Sequence, residues 1–241
     1  MKRTAIAVAI ILIWLTDSPV SAMDATPYPV DVAASFPGMN GALPSDLPTA
    51  PDGEVAAVSE GPYSPWFSES RQVLIHNNSD EISVIRDIVT EIRSINGDLV
   101  GASTEAYPVH PVMQPYSYTI AQVYLKEPPT DGQTITIDVR VADELEEFAI
   151  VPTLVPITEI SATDSSILGY VENASEKDVA VARVVVFCLD ADGTPINTMA
   201  ADGVDRLKPG ESFPFQATLL DDLPLAESCP FYIAYADGLN P

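Results

Sequence analysis

Histidine and cysteine are scarce: the 241 residues hold two of each. His76 and His110 stand far apart, and neither has a second histidine or a cysteine at ligand spacing, which removes the usual donor set for zinc. Also missing are the Gly-x-Ser-x-Gly elbow, His-Glu-x-x-His and any phosphate-cradling glycine loop. The adjacent acids Glu146-Glu147 and Asp221-Asp222 read as solvated loop charge, because acid–base work on a sugar needs two carboxyls converging across the substrate. The expectation is a non-enzymatic protein with no metal and no cofactor. Positive charge is sparse too. Lys and Arg number 11 against 35 Asp and Glu, a formal net charge of −24. Phosphate binding needs a basic patch, so nucleic acid and anionic membranes are excluded as partners.

Long apolar runs are confined to one place. Lys2 and Arg3 precede an apolar stretch from Ala5 to Leu15, with small residues at Val20 and Ala22. The run is about half of the roughly 20 residues that a membrane-spanning helix requires. It reads as a signal peptide over residues 1–22, leaving no transmembrane segment in the mature chain and implying a secreted or cell-surface location. No cysteine follows Ala22, which argues against a lipid anchor. Export permits a disulfide between Cys188 and Cys229, and the even count is consistent with one. The other reading is two buried thiols, since free cysteine packs like a small core hydrophobe.

Residues 23–68 hold eight prolines and little apolar periodicity. Such a stretch cannot by itself bury enough apolar surface to offset its ordering entropy, so a disordered spacer is expected there. Beyond it the period turns to two and β-branched residues dominate, as in QTITIDVRV and ARVVVFCL. ADELEEFAI, residues 142–150, is the one candidate helical turn. The fold class is all-β.

Two segments match without a gap. IHNNSDEISVIRDIVTEIRSINGDLV, from Ile75, lies on VENASEKDVAVARVVVFCLDADGTPI, from Val171, at an offset of 96. Asn77 falls on Asn173, Ile92 on Cys188 and Gly97 on Gly193. The same offset places ITIDVRV on FYIAYAD, and an offset of 94 places QPYSYTIAQVYL on KPGESFPFQATL. The chain therefore reads as two copies of one β module, over 69–150 and 160–241, joined by a connector at 151–159.

Comparing the copies sorts the motifs. Asp190-Ala191-Asp192-Gly193 opens like a calcium loop, but the first copy has Ser94-Ile95-Asn96-Gly97 there. Only the turn is shared, and no third acidic ligand or later Glu completes a calcium loop. Asn-Gly and Asp-Gly predict a hairpin of two central residues. The sequons at Asn77 and Asn173 are candidate N-glycosylation sites, though their equivalence makes a shared turn role the simpler explanation. In the first copy Asp87, Glu91 and Arg93 share a parity facing water, which turns Ile88, Thr90 and Ile92 inward. Carried across, Val184, Val186 and Cys188 face the core, and Val185, Phe187 and Leu189 form an apolar outer stripe. That stripe is a candidate partner-binding face. The other reading is that the first module or the connector covers it.

At LKPGESFPFQATL, after a strand ending in Asp-Ala-Asp-Gly, the second module resembles the FxLYD-type family of extracytoplasmic domains. The residues carrying the likeness are Asn173, Asp190, Gly193, Leu207, Pro209, Gly210, Glu211 and Phe215. Of the family's signature pentad, at Val186 to Asp190, only Asp190 is kept. The resemblance implies an immunoglobulin-like β-sandwich in each module and brings no catalytic residues. The reading that follows is an exported interaction or display protein with a protein or cell-wall partner. The alternative is a carbohydrate-binding module using Tyr107, Tyr116, Tyr118 and Tyr124, although Tyr116 and Tyr118 also alternate as a half-buried strand would.

Overall fold

The computed structural model of the chain describes residues 35–62, 70–125, 129–142, 153–218 and 225–239. The expected signal peptide, the helical turn at 142–150 past its first residue, and both acid pairs lie outside them. The regular structure of the described residues is almost wholly β, in four antiparallel sheets, with a helical turn at Leu225–Ser228.

The first half builds two sheets. One runs β2 (Val55–Glu60), β3 (Ser70–Asn77), β8 (Tyr118–Tyr124), β6 (Ala106–Pro108). The other centres on β4 (Ser83–Arg93), which takes β9 (Thr134–Ala142) along one edge. β5 (Leu99–Ser103) and β7 (Val112–Met113) pair with the two ends of β4. Val73, Ile75, Ala121 and Val123 from the first sheet meet Ile85, Ile88 and Met113 from the second in one core. The second half repeats the plan. β12 (Ser166–Glu172) lies between β11 (Ile157–Ala162) and β15 (Ser212–Thr218), facing a sheet of β14 (Pro195–Leu207), β13 (Val179–Leu189) and β16 (Phe231–Leu239). Ile167, Val171, Phe215 and Ala217 pack there on Val184, Val186 and Cys188.

The repeat is visible in register. β3 pairs with β8 from Ser70↔Tyr124 to His76↔Tyr118, and β12 with β15 from Ser166↔Thr218 to Glu172↔Ser212. β4 and β13 even carry a bulge at the same place, between Ile85 and Asp87 and between Val181 and Arg183. The last strand corrects the sequence alignment by one residue. Ile92 faces Ile135 and Cys188 faces Tyr232, so the true offset there is 97. A one-residue slip exchanges the two faces of a strand, and at the corrected offset Ile137 and Val139 fall on Ala234 and Ala236, all turned inward.

The proline-rich stretch is structured where it is described, contrary to the spacer expected over 23–68. β1 (Asn40–Ala42) extends the second half's sheet by pairing with the Tyr232–Ala234 part of β16, and β2 belongs to the first half. Phe36 is wholly buried. A segment that cannot fold alone can still fold by covering apolar surface that the rest of the chain presents, and this one does. The connector likewise contributes strands: β10 (Thr153–Val155) continues along the β16 edge beyond β1, and β11 starts at Ile157.

Candidate functional site

Val185, Phe187 and Leu189 do point away from the second half's core, but they are not exposed. Their side chains are buried in a third cluster with Ile233 and Tyr235 of β16, Leu74 of β3, Ile120 of β8 and Phe36. The partner-binding face is therefore an internal one. The outward surface of the β13–β16 sheet lies on the outward surface of the β3–β8 sheet, which stacks the four sheets into four layers around three cores. The first half, not the connector, covers the stripe, with the 36–47 segment closing its side through Met39, Leu43 and Leu47.

The four tyrosines separate. Tyr118 is buried, sandwiched between Phe36 at 5.4 Å and His76 at 4.1 Å between ring centroids, and burial pushes its phenol up to about 12. Tyr116 is exposed in the turn before β8 at φ 56°, beside the Asn77 corner. Tyr107 and Tyr124 do meet, edge to face, with centroids 5.6 Å apart and planes at 79°. A coplanar four-ring platform is thus absent, and an edge-braced pair stands in its place.

Tyr107 of that pair borders an opening between the two halves. A cleft of about 540 Å³ runs along the seam between the halves, beneath the short edge strand β6. Its walls are Ile85 to Ile88 at the β4 bulge, Ala106 to Pro108 on β6 and Gln122 on β8; Arg183, Phe187 and Tyr235 come from the second half. The stacked rings of Phe187 and Tyr235, 5.8 Å apart, are nearly buried and form the floor, whereas Tyr107, 61% exposed, forms the rim. So Phe187 of the expected stripe and Tyr107 of the expected platform do share one site, though neither set does so whole.

The bulge explains the polar side. The extra residue in β4 is Arg86, turned out of the ladder and bonded through Nε to Asp87 Oδ2 at 3.0 Å. Arg183 occupies the β13 position equivalent to Asp87, a charge reversal between the repeats that a sequence comparison could have flagged. Its positive charge acts on Tyr124, whose phenol is raised by burial and, more weakly, by Tyr107 and Glu105, with Arg183 pulling it down. Gln122 is steadied by donating to Ser70 Oγ at 2.8 Å.

The remaining candidates resolve into structure. Both sequon asparagines are buried, with Nδ2 donating to two backbone carbonyls each, so neither amide is open to a glycan. In the Asp190 turn, Oδ1 accepts from the backbone amides of Asp192 and Thr194 at 2.9 and 2.8 Å. Asp190 N bonds to Thr194 O, as Ser94 N does to Asp98 O, and of the turn residues only Gly193 and Gly97 have positive φ. The hairpins thus have three loop residues ending in a left-handed glycine, not the expected two-residue turn. Cys188 and Cys229 are joined in a disulfide. His76 Nδ1 accepts from Ala50 N at 3.1 Å, and His110 bonds to the carbonyl of Val112. Among the described residues no group of three His, Cys, Asp or Glu side chains is placed to hold a metal, and no helix is long and apolar enough to cross a membrane.

No protein-family model matches the chain. No curated protein matches it either.

Proposed function

We propose that this is an exported, non-enzymatic recognition protein of the cell surface or extracellular space, built from two immunoglobulin-like sandwiches of the FxLYD kind. It engages a protein or cell-wall partner through the cleft at their seam. The observation that supports this most is the assembly of the cleft. Residues from both halves converge there, and the four-layer stack holds them in one arrangement, as a preorganised binding site requires. The stripe first expected to bind a partner now supplies the floor of that cleft through Phe187. The carbohydrate reading is favoured by the Tyr107–Tyr124 pair, because its exposed ring is held at a fixed angle beside hydrogen-bonding groups.

The test is cosedimentation of the purified full chain with cells of the source organism, compared with Tyr107→Glu. Tyr107 is mostly exposed, so this variant is expected to keep its melting temperature. Loss of cosedimentation in the folded variant supports the cleft as the recognition site. Unchanged cosedimentation removes it.

A further inference from the structure

The charges in the cleft narrow its occupant, a step that rests on the cleft being the recognition site. The whole chain, at −24, repels polyanions. The lining of the cleft itself carries both signs, Arg86 and Arg183 with Asp87. Arg86 is bonded to Asp87, and Arg183 stands in register with Asp202 on β14. Guanidinium donors and a carboxylate acceptor therefore share the wall. A carboxylate or phosphate ligand only accepts hydrogen bonds and would meet Asp87; a protonated amine only donates and would meet the arginines. Hydroxyl groups donate and accept, and suit both. Beside these groups Tyr107 offers a flat apolar ring, fixed edge-on by Tyr124. A pyranose ring has a C–H face that lies on such a ring while its equatorial hydroxyls reach sideways. The volume of about 540 Å³ lies within the usual range for small-ligand sites and accommodates roughly one or two sugar rings.

We propose that the seam cleft binds a neutral pyranose oligosaccharide with equatorial hydroxyls. Tyr107 is its stacking platform, and the Arg86–Asp87 pair and Arg183 are its hydroxyl partners.

Calorimetric titration of the full chain tests this with cellotetraose and chitotetraose as neutral probes and tetragalacturonate as an acidic probe of equal length. The expected result is saturable binding of a neutral probe with a dissociation constant of about 1 mM or tighter. Tyr107→Ala should weaken it at least about tenfold and Tyr107→Trp should retain it, since the indole keeps the flat face. Arg183→Gln should weaken it about fivefold or more without creating affinity for the acidic probe. Tetragalacturonate binding as tightly as the neutral probes overturns the charge argument. Neutral binding unchanged in a folded Tyr107→Ala, or absent at 10 mM probe, overturns the saccharide assignment (roughly the weakest affinity still worth calling specific). The cell experiment above separates the two failures. If Tyr107→Glu abolishes cosedimentation while no neutral sugar binds, the cleft stands and only its occupant is wrong.

Discussion

Asn77 and Asn173 make the same four side-chain hydrogen bonds at equivalent corners of the two halves. Asn77 Nδ2 donates to Glu81 O and Gln114 O at 2.9 and 3.0 Å, and Asn173 Nδ2 to Lys177 O and Leu207 O at 2.7 and 2.8 Å. Each Oδ1 accepts from the backbone amide and the hydroxyl of the serine two residues on, Ser79 or Ser175. One amide thus ties the end of a strand to the loop after it and to a distant segment. The sequon spacing follows from this, since Asn-x-Ser places the hydroxyl where Oδ1 needs a donor.

Replacing Asn173 with alanine leaves the Leu207 carbonyl without its side-chain donor in a buried place. The expected loss is about 1–3 kcal/mol, measured by urea denaturation. Asn173→Asp should cost at least as much, because a carboxylate has no donor for either carbonyl. In a host that glycosylates, the secreted folded protein should show no glycan mass at Asn77 or Asn173; an added hexosamine there would contradict the burial.

Thr90 carries a buried hydroxyl with no hydrogen-bond partner. The equivalent position in the second half is Val186, buried in its core. Thr90→Val should therefore stabilise the protein by about 1 kcal/mol, because it removes an unsatisfied polar atom at nearly constant shape. A lower denaturation midpoint in the variant would falsify this.

These two positions show what was legible in the sequence. The repeat was readable because buried corners and core parity force the same residue types at the same spacing, so Asn77, Gly97 and Ile92 announced Asn173, Gly193 and Cys188. The parity of β13 was readable for the same reason. What covers its outer face was not, because contact between two sheets is set by tertiary placement and leaves no period in either strand. The 36–47 segment reads as spacer for a related cause: its apolar residues are spaced to fit a surface made by other parts of the chain, not to form a regular element. Within the cleft, Tyr107 and Phe187 carry separate sequence signals, one in a tyrosine cluster and the other in an apolar stripe. Arg86 was hidden because the bulge that exposes it cannot be seen in one strand alone.

Burial in the structure disfavours the charged form of His76. Burial lowers its pKa below the usual 6.5, with the backbone hydrogen bond to Tyr116 opposing more weakly. The unfolded chain therefore binds a proton at a higher pH than the folded one, and the stability this site contributes is present above about pH 6.5 and lost as pH falls below it. Protonation also places a donor where Ala50 N needs an acceptor. Denaturation midpoints measured from pH 7.5 to 5 should fall, and His76→Gln should flatten that slope. An equal slope in the variant would assign the loss to other groups.

The Cys188–Cys229 bridge closes a loop of 41 residues that contains the whole of β14 and β15. By the loop-entropy relation its reduction should cost about 4 kcal/mol, since the open chain gains freedom mostly in the unfolded state. Denaturation with and without a thiol reductant measures the difference, and Cys188→Ala with Cys229→Ala should reproduce the reduced value. The buried position of both sulfurs predicts that the native bridge resists reduction, and the alkylation that follows it, until the protein is unfolded.

Gly41 decides whether β1 can join the sheet. A Cβ there would lie 2.0 Å from the backbone oxygen of Tyr232, closer than any side chain can approach, so only glycine lets the strand close on β16. Gly41→Val should expel Asn40–Ala42 from the sheet edge and loosen Phe36 from its place against Tyr118. Hydrogen exchange should then rise along 36–48 and on the strand at Ile233, while the register of β3 with β8 stays protected. Phe36→Ala tests the same contact from the other side, at an expected cost of about 3–5 kcal/mol for a fully buried aromatic ring. If both variants leave exchange and stability unchanged, the segment is not part of the folded structure, and the outer stripe of β13 is covered by the first half alone.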